Sequence, residues 1–304
     1  CKYDLIFKQA SGTSRGVLKT KTSYFIKITA NNRVGYGECG LLKGLSYDDV
    51  PDYEDKLSWA CNHIHLGLES VWSDLLHFPS IQFGLEQAFL SLQSSQPFIL
   101  FPSPFISTQS PIPINGLIWM GDQNFMSQQI GAILNNGFNC VKMKIGAIDV
   151  DQELALLRSI RQQYPEEVIE LRVDANGAFD IKTAYKLMES LQEIGVHSIE
   201  QPLPVQSISD LATLCADAPI PVALDESLFG CLTIAQKEHL LDTVNPQYII
   251  LKPSFIGGFK GSDQWIQLAN SRGIGWWVTS ALESNIGLNA IAQWVFLKNT
   301  ILPQ

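Results

Sequence analysis

The 304-residue chain is 46% hydrophobic and 17% charged, and its formal net charge is −9. This is enough apolar material for about two domains, or for one barrel with an appendage, and it excludes global disorder. The acidic balance argues against nucleic acid and anionic membranes as partners, and no apolar run reaches membrane-spanning length.

The sequence starts at Cys1 without a visible signal peptide and stops at "NTILPQ" without a helix-closing signal, so residues are expected to be missing at either end. In residues 1–110, "TSYFIKITAN" reads as a strand rich in β-branched and aromatic residues. Asn31-Asn32 supply a turn into "NNRVGYGECG", which predicts a hairpin or meander. "YEDKLSWACNHIHLGLESV" and "SIQFGLEQAFLSLQS" have helical apolar spacing, so this part is α+β. The Pro-rich stretch "PFILFPSPFISTQSPIPI" then reads as a linker or an extended crossing.

From Ile114 the pattern alternates between strands and helices. Strands are expected at 114–119, 139–144, 169–174, 196–200, 220–225, 247–252 and 274–279, separated by amphipathic stretches such as "DQELALLRSIRQQY" and "KTAYKLMESLQEIG". Seven such units favour a β/α barrel. The alternative, an open doubly wound sheet, usually carries a G-x-G-x-x-G first turn, and none occurs here. Six scattered cysteines without a C-x-x-C pair read as reduced thiols of a cytoplasmic protein.

Charged residues end five consecutive expected strands, about 25–30 residues apart, which is the length of a βαβ step. They are Lys142 and Lys144 in "CVKMKIG", Asp174 in "ELRVDANG", Glu200 in "HSIEQPL", Asp225 in "PVALDES" and Lys252 in "YIILKPS". In a barrel these strand ends share the face where active sites form. Each acid taken alone reads equally as a helix cap or a surface ion pair. Three at a regular interval point to a shared site, where at least one would protonate unless a divalent cation neutralised them. An all-oxygen ligand set favours Mg²⁺, with Mn²⁺ as a substitute, over Zn²⁺. Lys142 and Lys144 leave one face of their strand, so burial side by side is expected to lower their pKa and make a general base available. Lys252 is placed to face Lys144. The assembly suits abstraction of a proton next to a carboxylate, which requires the enediolate to be stabilised as it forms.

This constellation resembles the enolase superfamily, specifically the muconate-lactonising-enzyme subgroup. That subgroup has K-x-K on the second barrel strand, metal acids on strands three to five and a lysine on strand six. The resemblance spans nearly the whole chain. It implies a C-terminal (β/α)7β-type TIM-like barrel at 111–304 and an N-terminal α+β capping domain at 1–110. The C-terminal segment is expected to return to the cap, and specificity loops to lie near "QASGTSRG" and "GYGECGLLKGLS". The histidine base of mandelate racemase-like members and the D-x-D motif of dipeptide epimerases are not found at the corresponding places.

"SALESNIGLNAIAQW" and "LKPSFIGGF" are most similar to the subgroup's o-succinylbenzoate-forming branch. That similarity implies a lyase of menaquinone biosynthesis, dehydrating SHCHC, a succinyl-substituted hydroxycyclohexadiene carboxylate. Its small-molecule substrate would lose a proton to Lys144 and be stabilised by Lys252. The metal would be held by Asp174, Glu200 and Asp225, and Lys142 would bind the substrate carboxylate and depress the Lys144 pKa. Asn176, Ser280 and Ser284 are further substrate-site candidates. Asn176 reads equally as a turn residue, and the serines as caps of "NIGLNAIAQWVFL". A dipeptide epimerase or N-acylamino-acid racemase of the same superfamily remains an alternative, as, more distantly, does a non-catalytic binding barrel. Nothing in the sequence fixes an oligomeric state.

Overall fold

The computed structural model describes residues 1–13, 16–119, 122–146, 149–300 and 302–304, and the side chains of all of these except 9–13, 16, 17 and 123. Of the expected specificity loop "QASGTSRG", residues 9–13 and 16 belong to the first two strands, Ser14 and Arg15 lie outside the described residues, and no side chain of the segment is described. The chain opens with an antiparallel meander of β1 (Lys2–Thr13), β2 (Gly16–Ala30) and β3 (Arg33–Cys39). β1 extends the expected pair by a third strand. Asn31 and Asn32, at φ 49° and 60°, form the tight turn that closes Ala30 onto Arg33. On one face of β2, the alternating Tyr24, Ile26 and Ile28 are buried with Ile81, Leu85 and Ala88.

Three helices cover that face: α1 (Tyr53–His63), α2 (Leu68–Trp72) and α3 (Pro79–Gln93). The single helix expected from "YEDKLSWACNHIHLGLESV" is broken by a 3₁₀ turn at Ile64–Leu66 and by Gly67 at φ 87°. β3 lies directly against α3. A Cβ on Gly37 would stand 1.9 Å from the Gly84 carbonyl oxygen, so only glycine permits this approach. The Pro-rich crossing contains one short helix, α4 (Pro104–Ser107).

The second unit alternates β4 (Gly116–Ile118), α5 (Gln123–Asn135), β5 (Cys140–Lys144), α6 (Val150–Gln163), β6 (Glu170–Asp174), α7 (Ile181–Glu193), β7 (Val196–Glu200), α8 (Ile208–Ala216), β8 (Val222–Leu224), α9 (Ile234–Val244), β9 (Tyr248–Leu251), α10 (Gly258–Ser271), β10 (Gly275–Val278) and α11 (Asn285–Lys298). The seven strands pair in sequential order, and each recorded pairing is parallel. All seven expected strands are present within a few residues of their expected limits. Side-chain caps start the helices: Asp122 accepts from Phe125 N, Asp180 from Thr183 N, and Thr233 forms a capping box with Gln236. The apolar faces of the helices pack on the sheet in one continuous core.

Among the described residues β4 and β10 do not pair. The last residues lie along that seam: Asn115 N donates to Gln304 O (3.0 Å), Gln304 N to Pro113 O (3.0 Å), and Val278 N to Gln304 Oε1 (2.7 Å). α11 packs on the capping elements β3 and α3. The C-terminal segment thus returns to the cap through its helix and to the barrel through its final residues. No described helix is long and apolar enough to cross a membrane.

Candidate active site

The parallel register sets the site. Lys144 pairs with Asp174 across β5 and β6, and Asp174 with Glu200 across β6 and β7. Asp225 and Lys252 immediately follow β8 and β9. All five expected strand-end positions, Lys142 with them, therefore come to one mouth. Lys142 Nζ donates to Glu200 Oε2 (2.5 Å) and Asp174 Oδ2 (3.2 Å). Lys144 Nζ donates to Asp174 Oδ2 (2.8 Å) and Asn176 Oδ1 (2.7 Å), and Lys252 is paired with Asp225. That both lysines of β5 reach the same Asp174 oxygen shows that they leave the same face. Asn176, at φ 46°, passes its amide on to Glu226 Oε1 (3.0 Å).

The acids are almost fully removed from water: Asp225 is 0%, Asp174 1% and Glu200 2% exposed. Burial would raise Asp174, but Lys142 and Lys144 outweigh it and hold Asp174 well below the usual carboxylate range. Burial and the neighbouring Asp174 charge push Glu200 well above that range, against the pull of Lys142. Burial, then Asp225, pushes Glu226 up to about 7. Lys142 corrects a sequence expectation. Burial does oppose the charge on Lys142, yet Asp174 and Glu200 together hold its pKa above the ordinary value. Lys252 is raised in the same way, Asp225 leading the acids that outweigh its burial. Side-by-side burial lowers a lysine pKa only where acids do not surround it.

The donor set fits a hard divalent cation. Glu200 Oε1, Asp225 Oδ1 and Glu226 Oε2 are buried carboxylate oxygens without a hydrogen-bond partner, and such oxygens are costly unless something positive engages them. Among the described residues no three acids are already gathered as a ligand set. Lysines hold one oxygen each of Asp174, Glu200 and Asp225.

Above the charged floor is a cavity of about 400 Å³. Lys142, Lys144, Asp174, Asn176, Lys252 and Ser280 line it. Ser284 does not. It caps α11, accepting from Ile286 N, and donates to Glu38 Oε2 (2.6 Å), so its hydroxyl serves the cap–barrel junction. The rim is apolar and comes partly from the cap. Leu42 and Leu45 belong to the expected "GYGECGLLKGLS" loop, whereas Leu18, Trp119, Phe255 and Leu282 were not foreseen. No spacing marks them, because each lies on a loop or strand end that only the packing of the two units brings over the barrel. Trp277 is buried inside the barrel over the Arg172 guanidinium (4.1 Å). Trp276 instead lies outward, donating to Asn270 Oδ1.

A two-unit architecture with acids and lysines on successive barrel strands defines a class, and sequence comparison agrees: the enolase C-terminal domain-like family matches residues 126–303, and the chain belongs to that family. It is 42% identical to the o-succinylbenzoate synthase of Desulfotalea psychrophila, over 99% of this chain and 90% of that protein. The crystal structure of MenC from Desulfotalea psychrophila superposes with a TM-score of 0.85 at 37% identity, covering 100% of this chain and 92% of that one. The fold is shared as well with the o-succinylbenzoate synthase of Thermosynechococcus elongatus, solved with Mg in its active site (TM-score 0.79, 24% identity, 98% and 88% covered).

Proposed function

We propose that this protein is a lyase that dehydrates SHCHC to o-succinylbenzoate in menaquinone biosynthesis. The observation that carries the reading is the 42% identity, over essentially the full chain, to an o-succinylbenzoate synthase. Lys144, Lys252 and Asp174 line one cavity, with the buried Glu200 and Asp225 paired to its lysines, and this arrangement supports the reading. Asp174, Glu200 and Asp225 would hold a divalent ion, Mg²⁺ by the hardness of the donors and Mn²⁺ as its substitute, which when bound supplies positive charge against the charge building on the substrate carboxylate.

Lys144 Nζ, in neutral form, removes the proton from the carbon bearing that carboxylate. The electron pair is delocalised into the carboxylate as an enediolate, which the Lys252 ammonium stabilises. The C–O bond on the same face then breaks, the proton on Lys144 passes to the leaving hydroxide, and the ring becomes aromatic with one water released. Lys142, paired with Glu200 and Asp174 at the cavity floor, would hydrogen-bond the substrate carboxylate. Asn176 hydrogen-bonds Lys144 and fixes its direction, and Ser280 contacts the substrate from the wall. Six free cysteines fit action in the cytoplasm.

The test follows loss of the diene absorbance with Mg²⁺ present. Lys144→Ala is expected to lower kcat about a thousandfold while Mg²⁺ binding is retained, and chelation is expected to stop the wild type reversibly. An intact, Mg²⁺-binding wild type that leaves SHCHC unchanged would overturn the assignment.

A further inference from the structure

The proposed substrate is a dicarboxylate: one carboxylate sits on the ring beside the reacting carbon, the other ends the flexible succinyl arm. The cavity takes cations from both units of the chain. Its floor holds Lys142, Lys144 and Lys252, each already paired with an acid. Its rim holds a fourth lysine, Lys43, contributed by the cap. Among the described residues Lys43 enters no ion pair and no side-chain hydrogen bond, and its side chain is exposed.

The turn that carries Lys43 is built rather than loose. Leu42 N donates to Ser46 Oγ (2.8 Å), Ser46 N returns to Leu42 O (2.9 Å), and Gly44 N donates to Asp49 Oδ2 (2.7 Å), with Gly44 at φ 77°. Leu42 is buried in the barrel core cluster and Leu45 packs against it. Lys43 therefore stands at a fixed point of the rim between two apolar neighbours, while of the two acids of this turn Asp49 accepts from Gly44 N and the buried Asp48 from Ser80. A lining cation that enters no ion pair among the described residues, flanked by the apolar Leu42 and Leu45, is matched to an anionic terminus on an apolar arm.

We propose that Lys43 is the specificity-determining residue that binds the distal, succinyl carboxylate, selecting substrates with a second carboxylate one short arm away from the reacting one. This rests on the reading of the reaction given above. Because Lys43 would hold the succinyl carboxylate and not the reacting one, it contributes to substrate binding alike in the ground and transition states and leaves the chemical step alone.

The experiment compares wild type, Lys43→Met and Lys43→Arg. KM and kcat are measured with SHCHC, and inhibition constants with o-succinylbenzoate and with its ester methylated on the succinyl carboxylate. Lys43→Met is expected to raise KM about tenfold with kcat within about twofold. It should weaken the diacid inhibitor equally and leave the ester unchanged, and Lys43→Arg should restore most of the loss. Equal effects on diacid and ester, or none on either, with an active wild type, would overturn the role of Lys43 alone. A wild type inactive on SHCHC would overturn both this role and the dehydratase reading.

Discussion

Lys142 is held by two acids at once, and that pairing explains why one strand can bury two lysines in a barrel core. Desolvating an ammonium group costs several kcal/mol, and the cost is recovered only where carboxylates and hydrogen bonds replace the water. Lys142 has Glu200 at 2.5 Å and Asp174 at 3.2 Å, so the acids hold the lysine charged as much as the lysine holds them. Removing one partner should be worse than removing both. Lys142→Met is expected to destabilise the metal-free protein by about 3–5 kcal/mol, because it strands two buried acids. Added Mg²⁺ should recover part of the loss by engaging the same oxygens. Urea unfolding of both proteins with chelator and with Mg²⁺ measures this, and a midpoint that does not move would mean that the acids are not held charged against Lys142.

Among the elements, the barrel strands were legible because each is a short apolar run ended by a charged residue and followed by a turn, a pattern that repeats from "CVKMK" to "YIILK". The cap was less legible. The break at Gly67 depends on a backbone conformation that helical periodicity does not register, and β1 carries exposed Ile6 and Tyr3 that blur its alternation. The five acid and lysine positions followed from strand register alone, whereas the cavity rim depends on where the cap docks. One docking contact joins two helices. Glu86 of α3 accepts from Phe259 N (2.5 Å) and Lys260 N (3.0 Å) in the first turn of α10. Burial pushes its pKa up to about 8 against those amides. Asp263 adds to the push and the Lys260 cation opposes it. A carboxyl whose folded pKa lies above its unfolded value, near 4.5, contributes its full stability below that value and loses it as pH rises towards 8. The stability difference between wild type and Glu86→Gln is therefore expected to shift against the wild type between pH 5 and pH 8, on the order of 2–4 kcal/mol. Paired denaturation curves across that range give the difference directly, since the other titrating groups are common to both proteins. A pH-independent difference would show that the α10 amides keep Glu86 ionised throughout.

For the molecule as a whole, the site exists only because two separately legible units close on each other, and the closure is polar as well as apolar. Glu38 at the end of β3 takes hydrogen bonds from Ser23, from Ser284 N and Oγ and from Gly287 N, locking the start of α11 onto the cap. Lys21 of β2, 3% exposed, reaches across to the carbonyls of Ala281 (2.8 Å) and Leu282 (3.0 Å). Those residues belong to the segment after β10 that walls the cavity with Thr279 and Ser280. Leu282 adopts φ 61°, a conformation that costs a non-glycine residue about 1–2 kcal/mol and persists only when its surroundings impose it. The cap thus shapes the barrel's own wall from behind. Lys21→Met removes both charge-assisted bonds and should let the segment relax. Stability is expected to fall by about 2–4 kcal/mol, and KM to rise several-fold with a smaller change in kcat, because Lys144 and Lys252 stand on strands that Lys21 does not touch. Thermal melts and steady-state kinetics on the one variant separate the two effects. A stability loss with unchanged KM would show that the wall keeps its shape without Lys21, held by the cap's other contacts such as those of Glu38.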